Sequence, residues 1–107
     1  MIMMAADMNL QVWLDTVPGT QPSVVIPYVQ SHENGTVRYQ LSATKQGISG
    51  TSTINQSGDV RLRANTPTAL TRFSLSVGER DHCEIKLVLF ANGNRAGSYQ
   101  FECPQAQ

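Results

Sequence analysis

The residues with the most chemistry to offer are two cysteines, Cys83 and Cys103, and two histidines, His32 and His82. A redox-active thiol pair needs C-x-x-C spacing or a basic helix terminus to depress a thiol pKa, and neither is present. His32 falls in a turn-rich segment and His82 beside Cys83. No H-x-E, H-E-x-x-H or C-x-x-C accompanies them, so no metal site is expected. Ser49-Gly50 and Ser57-Gly58 read as turns, because no G-x-S-x-G follows a strand and precedes a helix. Gly47-Ile48-Ser49-Gly50 lacks the lysine and the following helix of a phosphate loop. Asn34-Gly35-Thr36 and Asn55-Gln56-Ser57 match the N-glycosylation pattern, which is short enough to arise by chance. The expectation is a protein without catalysis, cofactor or metal.

Charge says more by position than by sum. Eight basic and eight acidic residues cancel, leaving no bulk field to draw nucleic acid or an anionic membrane. Yet residues 36–78 hold five cations, Arg38, Lys45, Arg61, Arg63 and Arg72, against one acid, Asp59. Val37 and Tyr39 flank Arg38, Val60 and Leu62 interleave with Arg61 and Arg63, and Phe73 follows Arg72. That phase sends most of them outward, and Lys86 projects opposite Ile85 and Leu87. Most acids (Asp7, Glu33, Asp59, Glu79, Asp81) fall in loops or at ends. A locally positive strand face suits the steering of an acidic partner. Equally, Lys and Arg on strands discourage edge-to-edge aggregation.

These residues must be positioned by strands. The chain has the length of one domain, 1–107, with residues 1–7 a frayed N-terminus or the scar of a removed signal. Hydrophobic residues make up 40% and charged residues 15%, which excludes a disordered chain. No apolar run approaches the ~18 residues of a membrane span. Apolar residues alternate at period two in 10–14 and 36–43. Val24 to Val29 forms a further apolar run, broken by Pro27, a residue that belongs at a sheet edge or bulge. Short strands also fit 50–56, 59–63, 69–77, 82–91 and 94–102. Turn signals separate them at Asn34-Gly35, Gln46-Gly47, Ser57-Gly58, Asn65-Thr66-Pro67 and Asn92-Gly93. The expected fold is all-β: an immunoglobulin-like antiparallel sandwich of about seven strands, with a barrel as the alternative.

The last hairpin can be registered from its pattern. Cys83, Ile85, Leu87 and Leu89 share one face of its first strand; Tyr99, Phe101 and Cys103 share one face of the second. A two-residue Asn92-Gly93 turn would oppose Cys83 to Glu102 and put the apolar sets on opposite faces, which a buried sheet does not tolerate. A three-residue Asn92-Gly93-Asn94 loop opposes Ile85 to Phe101, Leu87 to Tyr99 and Cys83 to Cys103. Opposed cysteines at a non-hydrogen-bonded pair approach ~4.5 Å between Cα atoms, within disulfide range. A structural disulfide is the leading reading, ahead of two buried free thiols and of redox chemistry, and it fits an oxidising compartment.

At Val25-Ile26-Pro27, Lys45 to Gly50, Ala64 to Pro67, Leu70 to Leu75 and Ile85-Lys86, the chain resembles the curli assembly inhibitors, the CsgC/CsgH family. Each motif is weak alone; their order and spacing carry the likeness. The resemblance implies a periplasmic immunoglobulin-like protein, its signal peptide removed, that keeps the curli major subunit, or a similar acidic amyloid-forming client, unassembled. Lys45, Arg72 and Lys86 occupy positions that are basic in the enterobacterial form; Arg38, Arg61 and Arg63 rest on phase alone. Gly35-Thr36-Val37 stands where the enterobacterial form has C-x-C, so a redox role tied to that motif does not carry over. The cysteines in the final hairpin place the chain nearer the CsgH branch.

The expectation is therefore a monomeric, non-enzymatic chaperone-like inhibitor of amyloid nucleation. Its client contacts would be Arg38, Lys45, Arg61, Arg63, Arg72 and Lys86. A structural or adhesive surface module competes with it. Trp13, on the outer face of the first strand, is either a contact residue or packs beneath a loop.

Overall fold

The computed structural model describes residues 10–17, 23–78 and 80–103, and strands account for most of them. In chain order these are β1 (Gln11–Thr16), β2 (Ser23–Gln30), β3 (Gly35–Gly47), β4 (Gly50–Leu62), β5 (Thr68–Ala69), β6 (Phe73–Leu75), β7 (His82–Ala91) and β8 (Asn94–Glu102). The expected frayed segment 1–7 and the acids Asp7 and Glu79 lie outside the described residues.

Two antiparallel sheets form. In the first, β1 pairs with β2, and β2 pairs on its other side with β5 and β6. The second runs β4-β3-β7-β8. Period-two alternation gives each sheet one apolar face, and the two faces share a core. Val25, Val29, Leu70, Phe73 and Leu75 come from the first sheet or its connections; Val37, Tyr39, Leu41, Leu62, Ile85, Leu87 and Leu89 come from the second. The sandwich stands as expected and the barrel does not, with eight strands described in place of about seven.

Pro27 is not at an edge. It lies fully buried in β2, between β1 on one side and the β5/β6 side on the other. Its carbonyl accepts a hydrogen bond from the Leu70 amide at 2.8 Å. A strand residue turns its N–H and C=O to the same side, so the donor that proline lacks faces the interval between β5 and β6. The expected strand over 69–77 is accordingly split into two short pieces.

The strands expected at 50–56 and 59–63 are one, and Ser57-Gly58 is not a turn. Gly58 opposes Tyr39 across β3 and β4, and a Cβ there would stand 3.2 Å from the tyrosine ring. Its missing side chain makes room for that ring. The β3–β4 reversal falls at Ile48-Ser49, with Gly47 opposite Gly50, rather than at Gln46-Gly47. Gly50 takes φ +125°, open to glycine alone.

In the last hairpin Ile85 opposes Phe101 and Leu87 opposes Tyr99, as the apolar pattern requires. The loop is nevertheless the two-residue one: Ala91 opposes Asn94, with Asn92 at φ 55° and Gly93 at φ 79°, the type I′ pattern. A bulge restores the register. Leu89 opposes Gly97 while Phe90 opposes Arg95, leaving Ala96 as the extra residue. Cys83 and Cys103 are joined in a disulfide with Cα atoms 5.3 Å apart. The Cys103 amide donates to the Cys83 carbonyl at 3.2 Å. They therefore sit at a hydrogen-bonded pair, not at the closer type expected from the sequence.

Candidate functional site

Residues opposed across antiparallel strands share a sheet face, so the registers define the outer face of β4-β3-β7-β8. One row across all four strands reads Asp59, Arg38, Phe90, Arg95. In the next row Arg61 opposes Thr36. Arg38, Arg61 and Arg95 are thus gathered at one end of the face, all exposed. Arg63 follows β4 directly and lines a shallow hollow with Arg61, Asn34, Thr36 and Thr66. The Asn34 side chain fixes that hollow by accepting from the Ala64 amide at 2.8 Å.

Arg38 is held by its row neighbour. Its Nε and Nη2 donate to the two carboxylate oxygens of Asp59 at 3.1 and 3.2 Å. This hydrogen-bonded fork lowers the Asp59 pKa and raises that of Arg38. Asp59, expected in a loop or at a strand end, lies within β4 on the basic end of the face. Arg61, Arg63 and Arg95 supply the remaining guanidinium groups there, a donor set suited to carboxylates.

The other end of the face has the opposite sign. Glu84 opposes Glu102, and the Gln100 amide donates to Glu84. Lys86 stands beside them, opposite Ser42 and about 13 Å along the strands from the Arg38 row at ~3.3 Å per residue.

The six cations expected from the sequence do not form one cluster. Arg38 and Arg61 come together, Arg63 adjoins them, and Lys86 shares the face at a distance. Lys45 shares the inward phase of Ala43, and its Nζ reaches the Ser76 carbonyl at 2.6 Å. Arg72 lies between β5 and β6, on the other sheet's side. Arg95 was missing from the expected set. By simple alternation it shares the parity of Gly97 and Tyr99 and would face inward; the Ala96 bulge turns it out.

Trp13 stacks on Tyr28, its cross-strand partner on the outer face of the first sheet, with ring centroids 5.7 Å apart. Among the described residues its ring contact is Tyr28. His32 Nδ1 lies 3.1 Å from Asn65 Oδ1, and His82 sits exposed at the end of β7. Among the described residues no group of three or more His, Cys, Asp or Glu is placed to hold a metal ion. The arrangement offers charge and backbone edges, a binding chemistry.

The family described as thin aggregative fimbriae synthesis protein (Tafi-CsgC) matches residues 3–99. Curli assembly protein CsgC of Escherichia coli K12 is 29% identical over 84 residues, covering 78% of this chain and 76% of its own. The Salmonella typhimurium protein of the same name is 26% identical over 106 residues, covering 99% and 97%. In structure, the E. coli curli protein CsgC superposes with a TM-score of 0.73 at 27% identity, covering 86% of this chain and 97% of its own. The R. palustris CsgH solution structure gives 0.69 at 16% identity, covering 87% and 91%, a likeness of fold. Of these two structures the E. coli chain shares more identity, although the position of the cysteines set this chain nearer the CsgH branch.

Proposed function

This chain belongs to the thin aggregative fimbriae synthesis (Tafi-CsgC) family, and on that premise we propose that it acts in curli assembly as a non-catalytic, chaperone-like inhibitor of amyloid nucleation. The observation that carries the proposal is the basic end of the β4-β3-β7-β8 face, where Arg61, Arg63 and Arg95 surround the Arg38–Asp59 pair. Such a cluster attracts an acidic, unfolded client and speeds encounter without requiring tight binding. Interception of rare early species is enough to delay nucleation. In this reading the chain works as one monomeric unit over 1–107. It works in the periplasm, where an oxidising environment preserves Cys83–Cys103.

The test is the growth of curli-subunit amyloid with the protein present below stoichiometry. A lengthened lag is the expected result; an unchanged lag would sink the proposal. Adding salt should shorten the extended lag, because the attraction acts between exposed charges.

A further inference from the structure

The strands at the four margins of the two sheets are not alike. β1 offers six residues with Asp15 among them, and β5 and β6 are two and three residues long. β8 begins beside Arg95, carries the Ala96 bulge and ends at Glu102. Short length, bulges and charge are the devices by which proteins keep sheet edges from recruiting strands. β4 has none of them along most of its length. It runs for thirteen residues in unbroken register with β3 and pairs with nothing else among the described residues. From Gln46 to Gly58 there is no charged residue and no proline.

The register says which backbone groups are available. The pair that closes a two-residue hairpin exchanges both its hydrogen bonds, here Gly47 and Gly50. Every second residue of β4 from Gly50 therefore bonds β3, and Thr51, Thr53, Asn55 and Ser57 turn their N–H and C=O outward. All four are exposed. The alternate residues hold the strand in place: Ile54 packs against the core, and Gln56 Oε1 accepts from the Thr71 hydroxyl at 2.6 Å. The result is a fixed, polar, unprotected edge of seven residues, the length of a typical amyloid-forming segment.

We propose that Thr51–Ser57 of β4 is a docking edge for an extended, uncharged segment rich in Asn, Gln, Ser and Thr. It receives that segment by antiparallel or parallel strand addition. This inference rests on the client-binding role proposed above and names the surface that performs it. An uncharged polar strand is favoured because Thr53 and Asn55 form amide and hydroxyl ladders with their like, whereas a carboxylate or ammonium set beside them meets no counter-charge. A client strand is favoured over a second copy of this chain by size. One seven-residue edge buries far less than the roughly 1,200 Å² at the lower end of stable interfaces, which suits a transient guest. The basic end of the same sheet begins where this edge stops, at Asp59 and Arg61, so charge gathers the client and the edge holds it.

The test titrates the ¹⁵N-labelled protein with an end-capped seven-residue peptide of Gln, Asn, Ser and Thr. Its N-methylated counterpart, which cannot pair, serves as control. Shift changes and slowed amide exchange confined to Thr51, Thr53, Asn55 and Ser57, absent with the control, are expected. Asn55→Pro removes an outward N–H without touching the β3 ladder and should abolish the response. Thr53→Lys should do so as well, and serves if the proline variant does not fold. Shifts elsewhere, or binding retained by both folded variants, would overturn the inference. So would a concentration-dependent dimer in sedimentation whose edge amides are already protected. Edge binding without any lag extension by the wild type supports the edge and unseats the inhibitory role; lag extension with a silent edge does the reverse.

Discussion

Asp59 partly neutralises the face it sits on, and its removal should be felt more in binding than in stability. Both partners of the Arg38–Asp59 pair are more than half exposed, at 62% and 55%, where ion pairs contribute little to folding. Asp59→Asn should leave the denaturation midpoint nearly unchanged and lengthen the amyloid lag beyond the wild type. The pH dependence has a definite sign. Asp59 titrates below its ordinary value in the folded state, so the pair's small contribution is complete above the ordinary aspartate range. It is lost as pH falls through the lower folded value. Following the Asp59 carboxyl by NMR should show that pKa rising back in Arg38→Gln. Charge reversal separates the cations by place: Arg61→Glu with Arg95→Glu should shorten the protein's lag extension severalfold, and Arg72→Glu should not. Alternation was enough to send Arg38 and Arg61 outward. It could not reveal Arg95, whose direction depends on a bulge one residue away, nor the Asp59 pairing, because Ser57-Gly58 has the composition of a turn.

The β7–β8 hairpin shows how one element can be legible in its register and misread in its loop. Ile85, Leu87, Phe101 and Tyr99 must share the buried face, and that demand fixes the pairing in the body of the hairpin. It does not fix how the odd residue is absorbed. A three-residue loop and a two-residue turn with one bulge add the same residue count, and nothing in Arg95-Ala96-Gly97 announces the bulge. Deleting Ala96 takes out only the extra residue, so Leu89 should still oppose Gly97 and Cys83 still oppose Cys103. The variant is expected to keep its disulfide, showing no reactive thiol in a thiol titration, and to unfold cooperatively. The glycines of the strands are also positional. Tyr99 lies over Gly97 as Tyr39 lies over Gly58, with the closer approach at Gly97. Alanine at either site overpacks, which typically costs about 1–3 kcal/mol. Gly97→Ala should be the worse of the two in urea denaturation. Pro27 was misplaced for a related reason: an edge rule holds when both sides of a strand need donors, and here the neighbouring strand is interrupted where the donor is missing.

At the scale of the whole molecule, the sandwich and its core were readable because alternation alone sorts the residues of two opposed sheets. The one covalent constraint closes a loop across a sequence separation of 20, and by chain entropy contributes about 3 kcal/mol. Reduction, or Cys83→Ala with Cys103→Ala, should lower the stability of the fold by about that amount without changing its strand content, as read by denaturation and far-ultraviolet dichroism. The Trp13–Tyr28 stack has a use beyond packing. Trp13 is the sole tryptophan of the chain, and it lies on the outer face of the sheet that contributes neither the arginine cluster nor the β4 edge. Its emission, fed by energy transfer from the adjoining phenol, is an optical gauge of the half of the sandwich that lies away from the proposed client surface. Client capture on the opposite sheet should leave that fluorescence unchanged, while unfolding should shift it, giving one built-in signal that separates occupancy from damage.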